Sequence, residues 1–248
     1  MTSLGIIDAD SIIYILCYGN KDTDTFDEFI NIIDSYCNNI EHEMECTDYV
    51  YVLEGEGNFR YEFDENYKSG RKDKPLFYKE TKDYLINNKS VLLAKNMESD
   101  DYCHILANVC RNHGLSYVIG FVDKDLKQIQ GIQYNYKNRT WDNVNSYKAL
   151  YNICMQLLTG DATDTKIAGL RGIGKKKALL LLEEVEEKDL LGVVLNKYMS
   201  FYNNRREAVE KFYNSFKLLN LIDYDEEVVN EFLNFLKISN VFKSENEQ

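Results

Sequence analysis

The sequence predicts an α/β fold, in which a mostly parallel central sheet is flanked by helices and followed by a helical C-terminal region. Two observations carry this prediction: short apolar runs alternate with amphipathic stretches of helical period, and the chain after Glu184 alternates charged with apolar residues. Strands that alternate with helices form parallel sheets with helices on both faces. With 248 residues and 44% hydrophobic content, the chain can build one large domain or two small ones.

Each predicted element has its own sequence signal. Strands are predicted over the buried apolar runs at 4–8, 49–53, 91–93 and 117–122, with short strands within 129–141. Helices are predicted from 12, over 27–43, from 97 to 113 and over 144–158, with a further apolar helix at 178–182. The clearest helical spacing is in 27–43, where Phe29, Ile33, Tyr36 and Ile40 share one face.

The charge distribution matters more than the net charge of −12, which by itself disfavours a polyanionic partner. Residues 161–177 carry five basic and two acidic side chains, and 60–82 carry seven basic and five acidic ones. Acidic side chains that hold metals are neutralised by their ions, so the formal charge overstates the repulsion.

The six cysteines form no CxxC pair, no secretory signal leads the chain, and no apolar run is long enough for a membrane span. These features predict a soluble protein with free thiols in a reducing compartment and no membrane partner.

Carboxylates follow the predicted strands at the points where the strands end. Asp8 ends the first strand, Glu54 ends the second, and Asp123 follows the fourth. Because open parallel sheets bind ligands at their carboxyl edge, these side chains are expected to line one crevice. Simpler readings stay open: Asp8 caps the next helix, and Asp123 with Asp125 ends an ordinary turn.

Glu98, Asp100 and Asp101 crowd the start of the helix predicted from 97. Like charges this close repel one another, and a bound cation would relieve the repulsion. The alternative is a plain capping role, since helix N-termini favour acidic residues. No His or Cys accompanies these acids, so hard cations such as Mg²⁺ or Mn²⁺ are the expected ions.

The segment 158–184 joins acidic and basic chemistry in one run. Asp161 and Asp164 lie beside Gly160 and would face the same side if that turn is helical. A glycine-rich basic stretch then leads into a helix that starts at Gly174, whose free N–H groups and dipole suit a phosphate. Its residues are Gly169, Arg171, Gly172, Ile173, Gly174, Lys175, Lys176 and Lys177. The alternative is a glycine-rich loop before an ordinary core helix.

A second basic segment contains Tyr67, Lys68 and Arg71. At spacing i, i+3 the Lys and the Arg would share a helical face, where they could stabilise charge on a phosphate. Tyr67 could stack on an unpaired base. A solvated basic loop is the interpretation favoured for Lys72, Lys74, Lys79 and Lys82.

These motifs, in this order, resemble the 5′-nuclease (flap endonuclease and 5′–3′ exonuclease) family, which includes bacteriophage exonucleases and the N-terminal nuclease domain of bacterial DNA polymerase I. The match to Gly-Asp-x-x-Asp and Gly-x-x-Gly-Ile-Gly-x-Lys is complete over 160–176. Tyr-Lys-x-x-Arg at 67–71, Asp-x-Asp at 123–125 and Glu-Ser-Asp-Asp at 98–101 also match, with Ser99 where the family has Ala. The departure is Glu54, where the family usually has Asp, and Glu56 competes for that role. Asp10 has no family role and is interpreted as a helix cap.

The resemblance implies a PIN-like nuclease core over 1–157, with an arch segment near 60–95, and a helical DNA-binding region over 158–248 with a helix–three-turn–helix at about 158–184. It implies two or more Mg²⁺ ions, with Mn²⁺ as a substitute, and a K⁺ ion in the helix–three-turn–helix. The first ion is assigned to Asp8, Glu54, Glu98, Asp100 and Asp101, and the second to Asp123, Asp125, Asp161 and Asp164. Lys68 and Arg71, with Tyr67 beside them, are expected to act on the scissile phosphate, and the segment 169–177 is expected to hold duplex DNA.

The implied function is a structure-specific 5′ nuclease of the phage or free-standing bacterial type, acting in replication or repair in the cytoplasm of a bacterium or of a phage-infected host. Its partner would be branched or nicked DNA with a 5′ end or flap, with the RNA of RNA–DNA primers as a further substrate. A monomer is expected, and the C-terminal residues lack the clamp-binding pattern. The alternatives are a PIN-type endoribonuclease and a catalytically inactive DNA-binding scaffold.

Overall fold

The computed structural model describes residues 3–20, 23–65, 67–68, 73–161 and 167–238. The strands are β1 Ser3–Asp8, β2 Asp48–Glu54, β3 Val91–Ala94, β4 Ser116–Phe121, β5 Gly131–Asn135, β6 Thr140–Val144, β7 Gly160–Asp161 and β8 Ile167–Ala168. The helices are α1 Asp10–Gly19, α2 Phe26–Met44, α3 Tyr78–Asn88, α4 Ser99–Asn112, α5 Ser146–Thr159, α6 Lys175–Leu182, α7 Leu190–Phe201, α8 Arg205–Leu219 and α9 Glu226–Ile238.

The main sheet has six strands in the order β3-β2-β1-β4-β5-β6. The pairs β1–β2, β1–β4, β2–β3 and β4–β5 are all parallel, which confirms the predicted fold class. The chain order reverses at β1, which lies between β2 and β4, and such a switch point is where open α/β sheets place their ligands. Asp8 is paired with Val52 and Glu54 with Ala94, so both carboxylates sit at the carboxyl edge of the sheet.

The chain forms two compact units. The first contains the residues up to 58, those from 73 to 143 and those from 222 onward. Its core joins α1 and α2 to the sheet through side chains such as Ile7, Ile13, Phe29 and Leu53, all fully buried. Gly5 allows the sheet to pack tightly, because a Cβ there would lie 2.4 Å from the ring of Tyr49.

The second unit contains residues 59–72 and 144–221. Its core is helical and is built from α5, α6 and α7 with the end of α8, including the buried side chains Leu158, Leu182, Val194 and Leu219. Helix starts follow the sequence: the side chains of Asn145 and Asn204 accept backbone N–H groups at the first turns of α5 and α8.

Among the helices in the described ranges, we find none with the length and apolar character that a membrane crossing requires.

Candidate metal centre and nucleic-acid interface

Asp8 is the buried centre of the carboxyl edge in the first unit, with 2% of its surface exposed. Ser11 Oγ donates to its Oδ2 at 2.9 Å, and Ser99 Oγ donates to its Oδ1 at 3.3 Å. Ser99 Oγ also lies 3.4 Å from Asp100 Oδ1, so Ser99 links Asp8 to the start of α4. Tyr136 donates from its hydroxyl to the carbonyl of Asp8 at 2.7 Å and fixes the end of β1.

Like charges accumulate around Asp8. Burial, followed by the nearby charges of Asp10 and Asp123, raises the pKa of the Asp8 carboxyl. Burial and the neighbouring charge of Glu54 raise the pKa of Asp10 in the same way. Carboxylates that raise one another's pKa in a buried crevice have the chemistry of a site for a hard divalent cation.

The side chains of this edge fit such a cation by their donor type, because they offer carboxylate and hydroxyl oxygens. Across the ranges that the structure describes, no three Asp, Glu, His or Cys side chains already converge closely enough to hold an ion together.

Asp10 is not the helix cap that the sequence predicted. Ala9 occupies the N-cap position of α1, without a side-chain cap, and Asp10 is the first helical residue. The Asp10 side chain instead reaches β2, where its Oδ2 accepts the backbone N–H of Glu54 at 2.8 Å. The sequence did not predict this contact, because it joins residues that lie 44 positions apart.

Lys82 also differs from its prediction as part of a solvated basic loop. It lies on α3, is half-buried, and donates from Nζ to the carbonyl of Glu54. Glu54 is therefore held at the strand end, whereas Glu56 is exposed.

The capping alternative is realised for Glu98 and Asp101. Glu98 is the N-cap of α4 and forms a capping box with Asp101, whose Oδ2 accepts the Glu98 N–H at 3.1 Å. Asn58 donates to Glu98 Oε1 at 2.8 Å. Asp101 is fully buried, and its Oδ1 accepts the backbone N–H of Ile222 at 3.1 Å. Asp100 is half-buried and takes no part in this box.

Asp123 and Asp125 form the turn that was the simpler reading. Asp123 caps a short 3₁₀ helix over Lys124–Gln128, and its Oδ1 accepts the N–H of Asp125 at 2.9 Å. The charge of Asp123 nevertheless helps to raise the pKa of Asp8. Asp123 therefore caps the short helix and also belongs to the acidic group around Asp8.

In the second unit, Asp161 does not lie in a helical turn, which was the condition for Asp161 and Asp164 to face the same side. Asp161 lies in β7, which pairs antiparallel with β8, and its side chain is 4% exposed. Gly160 and Gly169 allow β7 and β8 to approach each other closely. Gly160 has a φ of +77°, and a Cβ there would lie 2.3 Å from the Gly169 nitrogen. Asp164 lies outside the described residues.

The basic segment behaves as predicted at its helix start. α6 begins at Lys175 with Gly174 as its N-cap and no side-chain cap, so no side chain covers the first N–H groups. Gly172 makes the preceding turn with a φ of +81°, and Lys177 Nζ donates to its carbonyl at 2.8 Å. Lys175 and Lys176 are exposed. A surface cavity of about 410 Å³ is lined here by Arg171, Gly172, Ile173, Lys177, Leu180, Leu181, Lys197 and Phe201.

Tyr67 and Lys68 do not lie on a helix, so the predicted shared helical face is wrong for Lys68, whose φ is +56°. Lys68 Nζ lies 5.3 Å from the centre of the Tyr67 ring, which is itself 5% exposed. Arg71 lies outside the described residues.

Arg60 anchors the segment 59–72 within the second unit. It was not singled out in the sequence analysis. It is 1% exposed, and it donates from Nε to the Leu218 carbonyl at 3.0 Å and from Nη2 to the Asn220 carbonyl at 3.2 Å. These carbonyls lie at the end of α8, where backbone acceptors lack helical partners.

No family model matches the chain. Among curated proteins, it is 28% identical over 239 residues to DNA polymerase I of Caldicellulosiruptor bescii, covering 83% of this chain and 27% of that protein. It is 26% identical over 187 residues to the flap endonuclease Xni of Pseudoalteromonas translucida, covering 66% of this chain and 71% of that one. The chain thus spans about a quarter of the polymerase and most of the flap endonuclease.

Solved structures share the fold along nearly the whole chain. The bacteriophage T5 D15 flap endonuclease, in a complex with DNA and metal ions, superposes with a TM-score of 0.70 at 14% identity, covering 95% of this chain and 98% of that one. The T5 5′-exonuclease with bound zinc gives 0.71 at 15% identity, covering 95% and 99%. The catalytic core of Rad2 with a DNA substrate gives 0.50 at 16% identity, covering 92% and 78%. This agreement shows that the chain has the fold of these nucleases, and its sequence is similar to that of a DNA polymerase I and of a flap endonuclease.

Proposed function

We propose that the chain is a metal-dependent, structure-specific 5′ nuclease that hydrolyses phosphodiester bonds of DNA as a flap endonuclease and 5′–3′ exonuclease. The observation that carries this proposal is the group of mutually repelling carboxylates around Asp8 at the switch point of the sheet. The similarity to a flap endonuclease, and to phage 5′ nucleases whose structures contain metal ions, supports the same activity.

Mg²⁺, with Mn²⁺ as a substitute, is the cofactor that these oxygen donors favour. Asp8, Glu54 and Asp100 are the residues that we assign to hold it, with Glu98 and Asp101 behind them in the capping box. When bound, such cations supply an activated water and stabilise the oxygen that leaves. A second cation at Asp123, Asp125, Asp161 and Asp164, and a K⁺ ion at the basic segment, are proposed from the resemblance alone.

The chain's own residues prepare the site before any ion arrives. Ser11 and Ser99 each hold one oxygen of Asp8, which fixes the rotation of its carboxylate. The Tyr136 hydroxyl donates to the carbonyl of Asp8 and so helps to position the end of the strand. Such fixed orientation is what hydrolysis at a phosphate demands, because a misplaced ligand loses most of its effect.

Lys68 and Arg71 are proposed to stabilise charge on the scissile phosphate. The buried ring of Tyr67 lies beside Lys68, which gives the tyrosine a supporting role for the ammonium group. The uncapped start of α6, with Lys175 and Lys176, is proposed to hold duplex backbone without reading its sequence.

The proposed substrates are nicked or branched DNA with a 5′ end or flap, and the RNA of RNA–DNA primers is a second substrate. We propose a monomer that acts in replication or repair in a cytoplasm, in agreement with six free cysteines.

A cleavage assay on a labelled flap tests the proposal. A duplex with a 5′-labelled flap is incubated with the protein and Mg²⁺, beside EDTA and beside the variants Asp8→Asn and Asp27→Asn. We expect Mg²⁺-dependent release of the flap at the junction, loss of cleavage in Asp8→Asn, and full activity in Asp27→Asn, whose side chain is exposed on α2. Binding of the flap without any cleavage would contradict the proposal and indicate a scaffold. Cleavage of an RNA strand alone would indicate an endoribonuclease.

A further inference from the structure

The peptide group of Glu54 is held on both sides by charged side chains from two different helices. Asp10, at the start of α1, accepts the Glu54 N–H at 2.8 Å through Oδ2. Lys82, in α3, donates to the Glu54 carbonyl. Strand β1 pairs with β2 only as far as Asp8 and Val52, so the N–H and carbonyl of Glu54 lie beyond that pairing, and these two side chains bond to them instead.

A buried carboxylate is costly at this position, since a neutral side-chain oxygen could also accept the backbone N–H without adding a charge beside other carboxylates. Asp10 brings a negative charge close to Glu54 and Asp8, and the Ser99 hydroxyl, the Glu54 N–H and the charge of Lys82 offset part of it. Its other oxygen, Oδ1, is buried and has no hydrogen-bond partner among the described residues. A buried carboxylate oxygen beside other carboxylates is stabilised by a bound proton or by a bound cation, and a cation can serve several carboxylates at once.

We propose that Asp10 belongs to the cation site at the carboxyl edge, where it positions Glu54 through the Glu54 N–H and offers its free Oδ1 oxygen to the cation, while Lys82 holds Glu54 from the other side. This inference rests on the proposed function, because it presumes a divalent cation at this edge. It assigns Asp10 a role that the family pattern does not include.

Binding of Mn²⁺ alone to the full chain, without DNA, tests the role of Asp10. Mn²⁺ binding is measured by calorimetry and by the loss of the free Mn²⁺ electron paramagnetic resonance signal. Asp10→Asn keeps an oxygen that can accept the Glu54 N–H and removes only the charge, so the fold is expected to survive. The matched control is Glu56→Gln, which removes one carboxylate from the exposed loop just after Glu54.

We expect Asp10→Asn to weaken Mn²⁺ binding by about 10- to 100-fold, the range seen when residues that support metal ligands are changed. Glu56→Gln should bind Mn²⁺ as the unsubstituted chain does. Equal affinities for Asp10→Asn and Glu56→Gln would overturn the inference and leave the proposed nuclease intact. A failure of the unsubstituted chain to bind Mn²⁺ at all would overturn both.

Lys82→Met gives a test in which two explanations predict opposite signs. If Lys82 acted only through its charge, its removal would tighten the binding of a nearby cation. If it positions Glu54, its removal should weaken Mn²⁺ binding by about 10-fold, as loss of an outer contact does. Lys79→Met is the control, because Lys79 is exposed on the same helix. Tighter or unchanged binding in Lys82→Met would overturn the positioning role of Lys82.

Discussion

The Oδ1 oxygen of Asp101 accepts the backbone N–H of Ile222 at 3.1 Å, although the two residues lie 121 positions apart. The other carboxylate oxygen accepts the N–H of Glu98. Asp101 therefore joins the start of α4 to the segment before α9, both within the first unit. A residue of the acidic motif is thus engaged by backbone on both oxygens, which gives it a structural task besides any contact with an ion.

Asp101→Asn is expected to lower the free energy of unfolding by about 2–3 kcal/mol, because the amide nitrogen cannot accept one of the two N–H groups and the remaining bond loses its charge. Asp100→Asn, one residue earlier on α4, should change stability little, because Asp100 takes no part in the capping box. Urea unfolding of both variants in EDTA measures the difference. Equal stabilities would show that the two backbone hydrogen bonds of Asp101 contribute nothing.

The stability of the metal-free chain is expected to fall as the pH rises from about 4 to about 7. Burial and like charges raise the pKa of Asp8 from 3.8 to about 7, and that of Asp10 from 3.8 to about 6. Between the unfolded and the folded values the native chain binds more protons than the unfolded chain, so raising the pH costs it stability.

Asp10→Asn removes one of these groups. In EDTA at pH 8 its free energy of unfolding should exceed that of the unsubstituted chain by on the order of 2 kcal/mol, and at pH 4.5 the difference should be smaller. Denaturant unfolding at the two pH values, with Asp27→Asn as the control, measures this gap. A gap that does not grow with pH would contradict the electrostatic account. Mg²⁺ should stabilise the parent more at pH 8 than at pH 5.5, because protons compete for the same oxygens.

Lys175→Ala combined with Lys176→Ala is expected to weaken binding to duplex DNA and to lower the slope of log K against log salt by about 2. The physical reason is the loss of two phosphate contacts at the exposed start of α6. Fluorescence anisotropy at several salt concentrations in EDTA measures the slope without cleavage. Lys137→Ala with Lys188→Ala, at two exposed positions elsewhere, is the matched control. An unchanged slope in the α6 variant would remove this segment from the DNA path.

Arg60→Ala is expected to destabilise the second unit by about 2–4 kcal/mol, because it leaves two carbonyls at the end of α8 without their charged donor. Arg60→Lys should recover only part of this, since one ammonium cannot reproduce the planar fork of Arg. Thermal unfolding of both variants measures the effect, and flap cleavage reports whether Lys68 remains in place. Wild-type stability in Arg60→Ala would contradict the anchoring role.

Local sequence patterns correctly predicted the elements whose structure depends mainly on neighbouring residues. The apolar runs before Asp8 and Glu54 predicted two parallel strands with carboxylates at one edge, and Gly174 predicted the start of α6. The i, i+3 spacing of side chains did not predict the backbone conformation. Asp161 lies in a short strand, and Lys68 has a left-handed backbone, because i, i+3 spacing does not fix the backbone conformation.

Contacts between residues far apart in the chain could not be predicted from the sequence. Asp10 looked like a helix cap, yet its partner is Glu54, and Lys82 looked solvated, yet it reaches the same residue. Arg60 gave no signal of its burial, because its acceptors are backbone carbonyls more than 150 positions away. Such contacts follow from how the elements pack, and one sequence does not show that packing.

The most direct test of the central claim is anomalous diffraction from crystals of the full chain soaked in Mn²⁺. We expect an anomalous peak at the carboxyl edge of the sheet, about 2.0–2.3 Å from an Asp8 carboxylate oxygen, the distance range of oxygen ligands to small divalent ions. The same peak should be absent from crystals of Asp8→Asn. A chain that cleaves flaps with Mn²⁺ but shows no peak at Asp8 would contradict the claim that these carboxylates hold the catalytic ion.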